Sequence, residues 1–157
     1  MSLLTIWIDA DSCPAPVRNH AVKMGNKLNV QVVFAANKNI PCNINLPFTM
    51  KICGQEKDAA DNFIFQNLQP FDMVITRDIV FADRLIQKGI CTINDRGTSF
   101  NSENIKKLLS DRDFDLQLSE IGLVKHYNEG YDKKKFASFA NCFDREINRL
   151  IKSAKIK

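Results

Sequence analysis

Asp9 and Asp11 stand one residue apart behind Leu4-Thr5-Ile6-Trp7-Ile8, a run whose β-branched and apolar content fits a fully buried strand. Carboxylates are costly there. Side chains at i and i+2 of an extended chain point to the same side, so the two acids would crowd each other. Like charges then oppose joint ionisation unless a cation lies between them, and a hard divalent metal resolves the conflict. The local alternative is that Asp11 caps the next helix while Asp9 accepts backbone hydrogen bonds in the turn. Other acids occupy comparable places. Asp58 and Asp61 open a helical pattern three residues apart, hence on one face; Asp78 follows Val74-Ile75-Thr76-Arg77; and Asp95 follows the run ending at Asn94. Asp58 and Asp78 also suit N-caps, Asp61 suits a first turn beside the helix dipole, and a turn with Arg96-Gly97 is the preferred reading of Asp95. Capping explains each site singly. It does not explain why the strand-one doublet accompanies the others without matching local cations.

The elements that must position these acids alternate regularly. After the first strand, Pro14 and Pro16 suit a helix entry, and Val17, Ala21, Met24 and Leu28 recur at helical spacing. Strands are expected at Val30–Ala36, Phe48–Cys53, Met73–Thr76 and Ile90–Asn94, with helices over Asp58–Gln69 and Val80–Lys88. The pattern is that of parallel βαβ units: an α/β fold with a mostly parallel sheet of about five strands. In such sheets sites form at the carboxyl ends of the strands. Acids from four segments would converge on one crevice there. The last third reads as C-terminal helices, the first marked by Ile105, Leu108, Leu109, Leu116, Leu118 and Ile121. The second starts near Lys133 and carries Phe136, Phe139, Ala140, Phe143, Ile147, Leu150, Ile151 and Ala154, a face expected to dock on the core.

The rest of the composition narrows the function classes. The 157 residues, 45% of them hydrophobic, suffice for one well-buried core and suggest a single domain over 1–157. The five cysteines are scattered, without a Cys-x-x-Cys pair, and only two histidines are present, so neither a disulfide framework nor a zinc site is indicated. Cys13 lies at a helix start, but the neighbouring carboxylates oppose a thiolate. His20 and His126 read as surface residues, which argues against metal-free ribonuclease chemistry. The basic excess is concentrated from Ile121 onward, nine Lys or Arg against four acids. Arg145 and Arg149 on the last helix are therefore candidates to meet phosphates. No stretch is apolar enough to span a bilayer and no signal peptide is apparent, so a cytoplasmic protein without membrane attachment is expected.

The stretches Trp7-Ile8-Asp9-Ala10-Asp11-Ser12-Cys13-Pro14, Asp58-Ala59-Ala60-Asp61-Asn62-Phe63-Ile64, Val74-Ile75-Thr76-Arg77-Asp78-Ile79 and Arg96-Gly97, in this order, resemble the YaiI/YqxD family of small bacterial proteins. That family is grouped with the PIN-like superfamily, whose nucleases bind Mg²⁺ or Mn²⁺ through acids at corresponding places. The resemblance implies a three-layer PIN-like fold in which Asp9, Asp61 and Asp78 match the nuclease acids, with Asp11 and Asp58 as additions. Two departures stand out. Val124-Lys125-His126-Tyr127-Asn128-Glu129-Gly130 replaces an expected Gly-Gly-Pro segment, and Val80 stands where proline is common.

The leading expectation is a Mg²⁺- or Mn²⁺-dependent phosphodiesterase acting on RNA. Asp9, Asp61 and Asp78 would be direct ligands and the catalytic acids, Asp11 and Asp58 would be ligands or water acceptors, and Arg96 would steady a phosphate. One alternative is a haloacid-dehalogenase-type phosphatase with Asp9 as nucleophile, Asp11 as general acid and Thr76 on the phosphoryl group. Another is a non-catalytic PIN-like module that binds RNA or a protein partner. A homo-oligomer is left open.

Overall fold

The computed structural model describes residues 3–122 and 130–156. Five strands, β1 (Thr5–Asp9), β2 (Gln31–Ala36), β3 (Thr49–Ile52), β4 (Met73–Ile75) and β5 (Cys91–Ile93), form one sheet in the order β3-β2-β1-β4-β5. Every pairing is parallel. The chain moves outward from β1 to β3 and then returns to lay β4 on the other side of β1. The order reverses between β1 and β4, which is where a crevice opens in such sheets.

Alternation along the strands divides the core. Ile6, Ile8, Val32, Phe34, Met73 and Ile75 face one side, covered by α1 (Ala15–Leu28) and α5 (Lys133–Ile156). Trp7, Val33, Ala35 and Val74 face the other, covered by α2 (Ala59–Asn67) and α3 (Ile79–Gln87). The result is a three-layer α/β architecture, with helices on both faces as an all-parallel sheet requires. The stripe of α5 docks as its spacing predicts, through Phe139, Phe143, Ile147 and Leu150. Among the described residues no helix is long and apolar enough to cross a membrane.

One expectation is corrected here. His20 is not a surface residue: its ring packs edge-on against Phe136, Phe139 and Phe143 between α1 and α5, and one ring nitrogen lies 3.1 Å from Asp144 Oδ1. The apolar positions that mark the helix after β5 divide between packed and exposed ones. This helix, α4 (Ser102–Glu120), starts with a capping box between Asn101 and Asn104 and packs its first turns on α3. It reaches no sheet face beyond them, so Leu116 and Ile121 are exposed. His126 and residues 124–129 of the divergent loop lie outside the described residues.

The α1 layer approaches β2 closely at one point. The helix ends on Asn29 in the left-handed conformation (φ 57°), and the Val30 N–H donates to the Gly25 carbonyl at 2.8 Å. A Cβ on Gly25 would stand 2.4 Å from Val32 Cγ2 and 3.0 Å from the Val30 carbonyl oxygen. Gly25→Ala is therefore expected to destabilise the protein by about 1–2 kcal/mol, overpacking outweighing the ~1 kcal/mol gain in helix propensity. Urea denaturation checks this, and a neutral or stabilised variant would show that the layers can part without cost.

Candidate functional site

The crevice at the reversal point holds about 380 Å³ and is lined by Asp9, Asp11, Asp58, Asp61, Arg77 and Asp78. Asp9 ends β1. After it the chain turns into a short 3-10 segment, Ala10–Ser12, so Asp11 is not placed by strand alternation. It reaches the crevice on that turn, where its Oδ2 accepts the Asn37 N–H at 2.9 Å. Asp78 caps α3: its Oδ1 accepts the N–H groups of Val80 and Phe81 at 3.0 and 3.1 Å. Capping engages one carboxylate oxygen, and the residue also belongs to the acid cluster.

One oxygen each from Asp58, Asp61 and Asp78 lie within 4.8 Å of one another. Asp58 holds the N-cap position of α2 yet makes no side-chain cap bond, and its backbone is left-handed (φ 61°, ψ 18°). A capping role thus does not account for it, and an L-residue in that conformation stores strain of the kind concentrated at binding sites. Asp61, one helical turn on, is buried beneath the cluster.

The electrostatics follow from this crowding. The Asp61 carboxyl is pushed up to about 7, first by burial and then by the charges of Asp9, Asp78 and Asp58, with Arg84 opposing. Asp9 is pushed up to about 6 by burial, opposed by a hydrogen bond from Thr76 and supported by the charges of Asp11 and Asp78. No salt bridge among the described residues reaches any of these five acids. Crowded carboxylates offering hard oxygen ligands, with no described ion pair to any of them, fit a divalent ion. A larger cavity of about 620 Å³ lies at the opposite edge of the sheet, lined by residues such as Gly25, Asn26, Val32 and Phe48, and no titratable side chain lines it.

The remaining expectations separate. Asp95 does not join the cluster: it is buried, and its Oδ2 accepts the Arg77 Nε–H at 2.7 Å. Nor does it close the turn with Arg96-Gly97, since Asn94 Oδ1 accepts the N–H groups of Arg96 and Thr98 instead. The turn still needs Gly97, whose φ is +88° and whose added Cβ would meet the Ser138 carbonyl oxygen at 2.5 Å. Arg96 lines the cavity next to the crevice. Arg145 and Arg149 lie on α5 beside Glu146; the Arg149 Nε–H donates to Glu146 Oε2 at 2.8 Å. Arg149 also borders Gly89 and Ile90, at the amino edge of the sheet, so the fold does not bring it to the acids.

Thr76 is buried and its hydroxyl is engaged twice, donating to Asp9 Oδ2 at 3.0 Å and accepting the Asp78 N–H at 3.1 Å. It is not presented to a phosphoryl group, as a phosphatase would need. Burial pushes the Cys13 thiol up to about 12, which makes it inert. Sequence inspection missed Arg77 and Asn37 as crevice residues. Arg77 carried a signal, lying within the Thr76-Arg77-Asp78 motif, whereas Asn37 is marked only by following a strand's carboxyl end.

The model of the uncharacterized YaiI/YqxD family matches residues 7–149. Curated relatives include a UPF0178 protein of Treponema denticola, 38% identical over 149 residues and 95% of each chain. Another, from Myxococcus xanthus, is 36% identical over 151 residues, covering 96% of this chain and 98% of its own. A third, from Treponema pallidum, is 37% identical over 153 residues, covering 97% of this chain and 86% of its own. No solved structure matches the chain significantly.

Proposed function

The chain belongs to the YaiI/YqxD family, and from its acidic crevice we propose that it is a metal-dependent phosphodiesterase acting on RNA. The observation that carries this is the convergence of Asp58, Asp61 and Asp78 within 4.8 Å at the reversal of a parallel sheet, unneutralised by any described salt bridge. Bound there, Mg²⁺ or Mn²⁺ would acidify water at neutral pH and offset charge on a phosphodiester. Asp58, Asp61 and Asp78 would hold the ion, with Asp9 close enough to share its charge with them. Thr76 fixes the Asp9 carboxylate and the Asp78 backbone in one hydrogen-bonded unit, which limits their freedom to rearrange. Asn37 orients Asp11 at the rim, where it can accept hydrogen bonds from water.

The test is incubation with single-stranded RNA and Mn²⁺ or Mg²⁺, read together with thermal stability. At a free ion concentration 100 times the dissociation constant, binding to the folded state alone adds about 2.7 kcal/mol. Expected are this stabilisation and metal-dependent cleavage, with no phosphoenzyme trapped on quenching with a phosphomonoester. Unchanged melting in both ions would overturn the metal site. A trapped adduct on Asp9 would move the protein to the phosphatase class, and metal binding without cleavage would leave a binding module.

A further inference from the structure

Beside the acidic crevice lies a second cavity of about 270 Å³ whose walls include Arg77, Ile79, Asn94, Arg96, Thr98 and Leu108. Arg77 borders both spaces. Its guanidinium is held from beneath by the buried Asp95, so the wall between them is fixed by an ion pair. The second cavity has a different chemistry from the first. Ile79, Phe100 and Leu108 give it apolar sides, while Asn94 offers its side-chain NH₂ and Thr98 its hydroxyl. The one acid of its lining, Asp95, is paired with Arg77, and Arg96 brings a charge that no described acid pairs. Apolar walls around amide, hydroxyl and guanidinium groups are what an unstacked nucleobase and its phosphate require.

We infer that this cavity is a one-nucleotide subsite, receiving the base and sugar adjacent to the phosphodiester held at the crevice, with Arg77 and Arg96 flanking the linking phosphate. Its size agrees, just below the ~300 Å³ at which sites for drug-sized ligands begin. Past Ile79 and Leu108 the groove continues along α4 beside Asp111, Arg112 and Asp115, where the acids outnumber the cation and favour a further phosphate less than the Arg77 and Arg96 side does. The assignment rests on the phosphodiesterase reading of the crevice, and it makes the enzyme selective for the base next to the cleaved bond.

The test is titration of the full chain with each of the four ribonucleoside monophosphates in metal-free buffer, followed by amide chemical shifts. Saturable binding is expected, with shifts at Ile79, Arg96 and Thr98 and unequal affinity among the four bases. Leu108→Trp, which fills the cavity, and Arg96→Ala, an exposed position that leaves packing intact, should each weaken binding about tenfold or more. Absence of saturable binding, equal affinity for all four bases, or affinity untouched by both cavity variants would overturn the subsite. Cleavage is a separate readout: binding without cleavage keeps the subsite and rejects the nuclease, and cleavage without binding does the reverse.

Discussion

Asp61→Asn is expected to abolish metal-dependent RNA cleavage while making the metal-free protein more stable at neutral pH. The loss should be about 10³-fold or greater, because the several kcal/mol contributed by a bound ion depend on a charged carboxylate at this position. The gain follows from linkage. The ordinary value of the group is 3.8 and its folded value is about 7, so between these limits the folded state holds a proton that the unfolded state has released. The stability this confers is complete below about 3.8 and is lost as pH rises to about 7. Above that the wild type carries the full penalty of a buried, crowded charge, and the neutral amide does not. The advantage of the variant should therefore grow as pH climbs from 4 toward 7, reaching about 1–3 kcal/mol after allowance for the open crevice, and then level off. Saturating Mn²⁺ should remove or reverse the advantage by stabilising only the wild type. Urea denaturation across this pH range, with and without metal, checks each part. A variant that retains cleavage, or is less stable than the wild type at pH 7.5, would falsify the role of Asp61.

Arg77→Ala carries the largest expected loss of stability. The guanidinium meets Asp95 Oδ2 through Nε at 2.7 Å and a terminal nitrogen at 2.6 Å, and the Asp95 side chain is only 3% exposed. Removing one partner of a buried pair leaves the other charge uncompensated, at ~3–5 kcal/mol. Since the Arg77 side chain is itself 43% exposed, the lower end, about 3 kcal/mol, is expected, with a fall in Tm of about 6–12 °C. Arg77→Ala combined with Asp95→Asn should recover a large part of this, because the amide tolerates the loss of the cation. A loss under about 1 kcal/mol would show that water reaches Asp95 and that the pair is an ordinary surface contact.

The sequence alone determined the architecture and most of the acid set. Fully apolar short runs at regular intervals can be buried only in a sheet covered on both faces. The carboxyl ends of such runs are where Asp9, Asp11 and Asp78 had to emerge. The 3.6-residue period likewise assigned the docking stripe of α5, whereas Asp58 reaches Asp61 from a left-handed N-cap that the helical period does not describe. The apolar runs and the helical stripe are local patterns and need no knowledge of what packs against them.

Tertiary structure decided the rest. Which acids touch depends on the strand order, and no local signal shows that β4 returns beside β1 or that α2 starts over the gap between them. Asp95 follows a strand just as Asp78 does, but a neighbouring Arg77 draws it into the interior, and a pairing across 18 residues is invisible to any local pattern. The same holds for His20, which took its place from three phenylalanines on a helix more than 110 residues away. Whether Leu116 and Ile121 are core or surface depended on how far α4 runs along α3, a property of two packed elements. Periodicity states which face of an element is apolar. Only the packed chain states what, if anything, covers it.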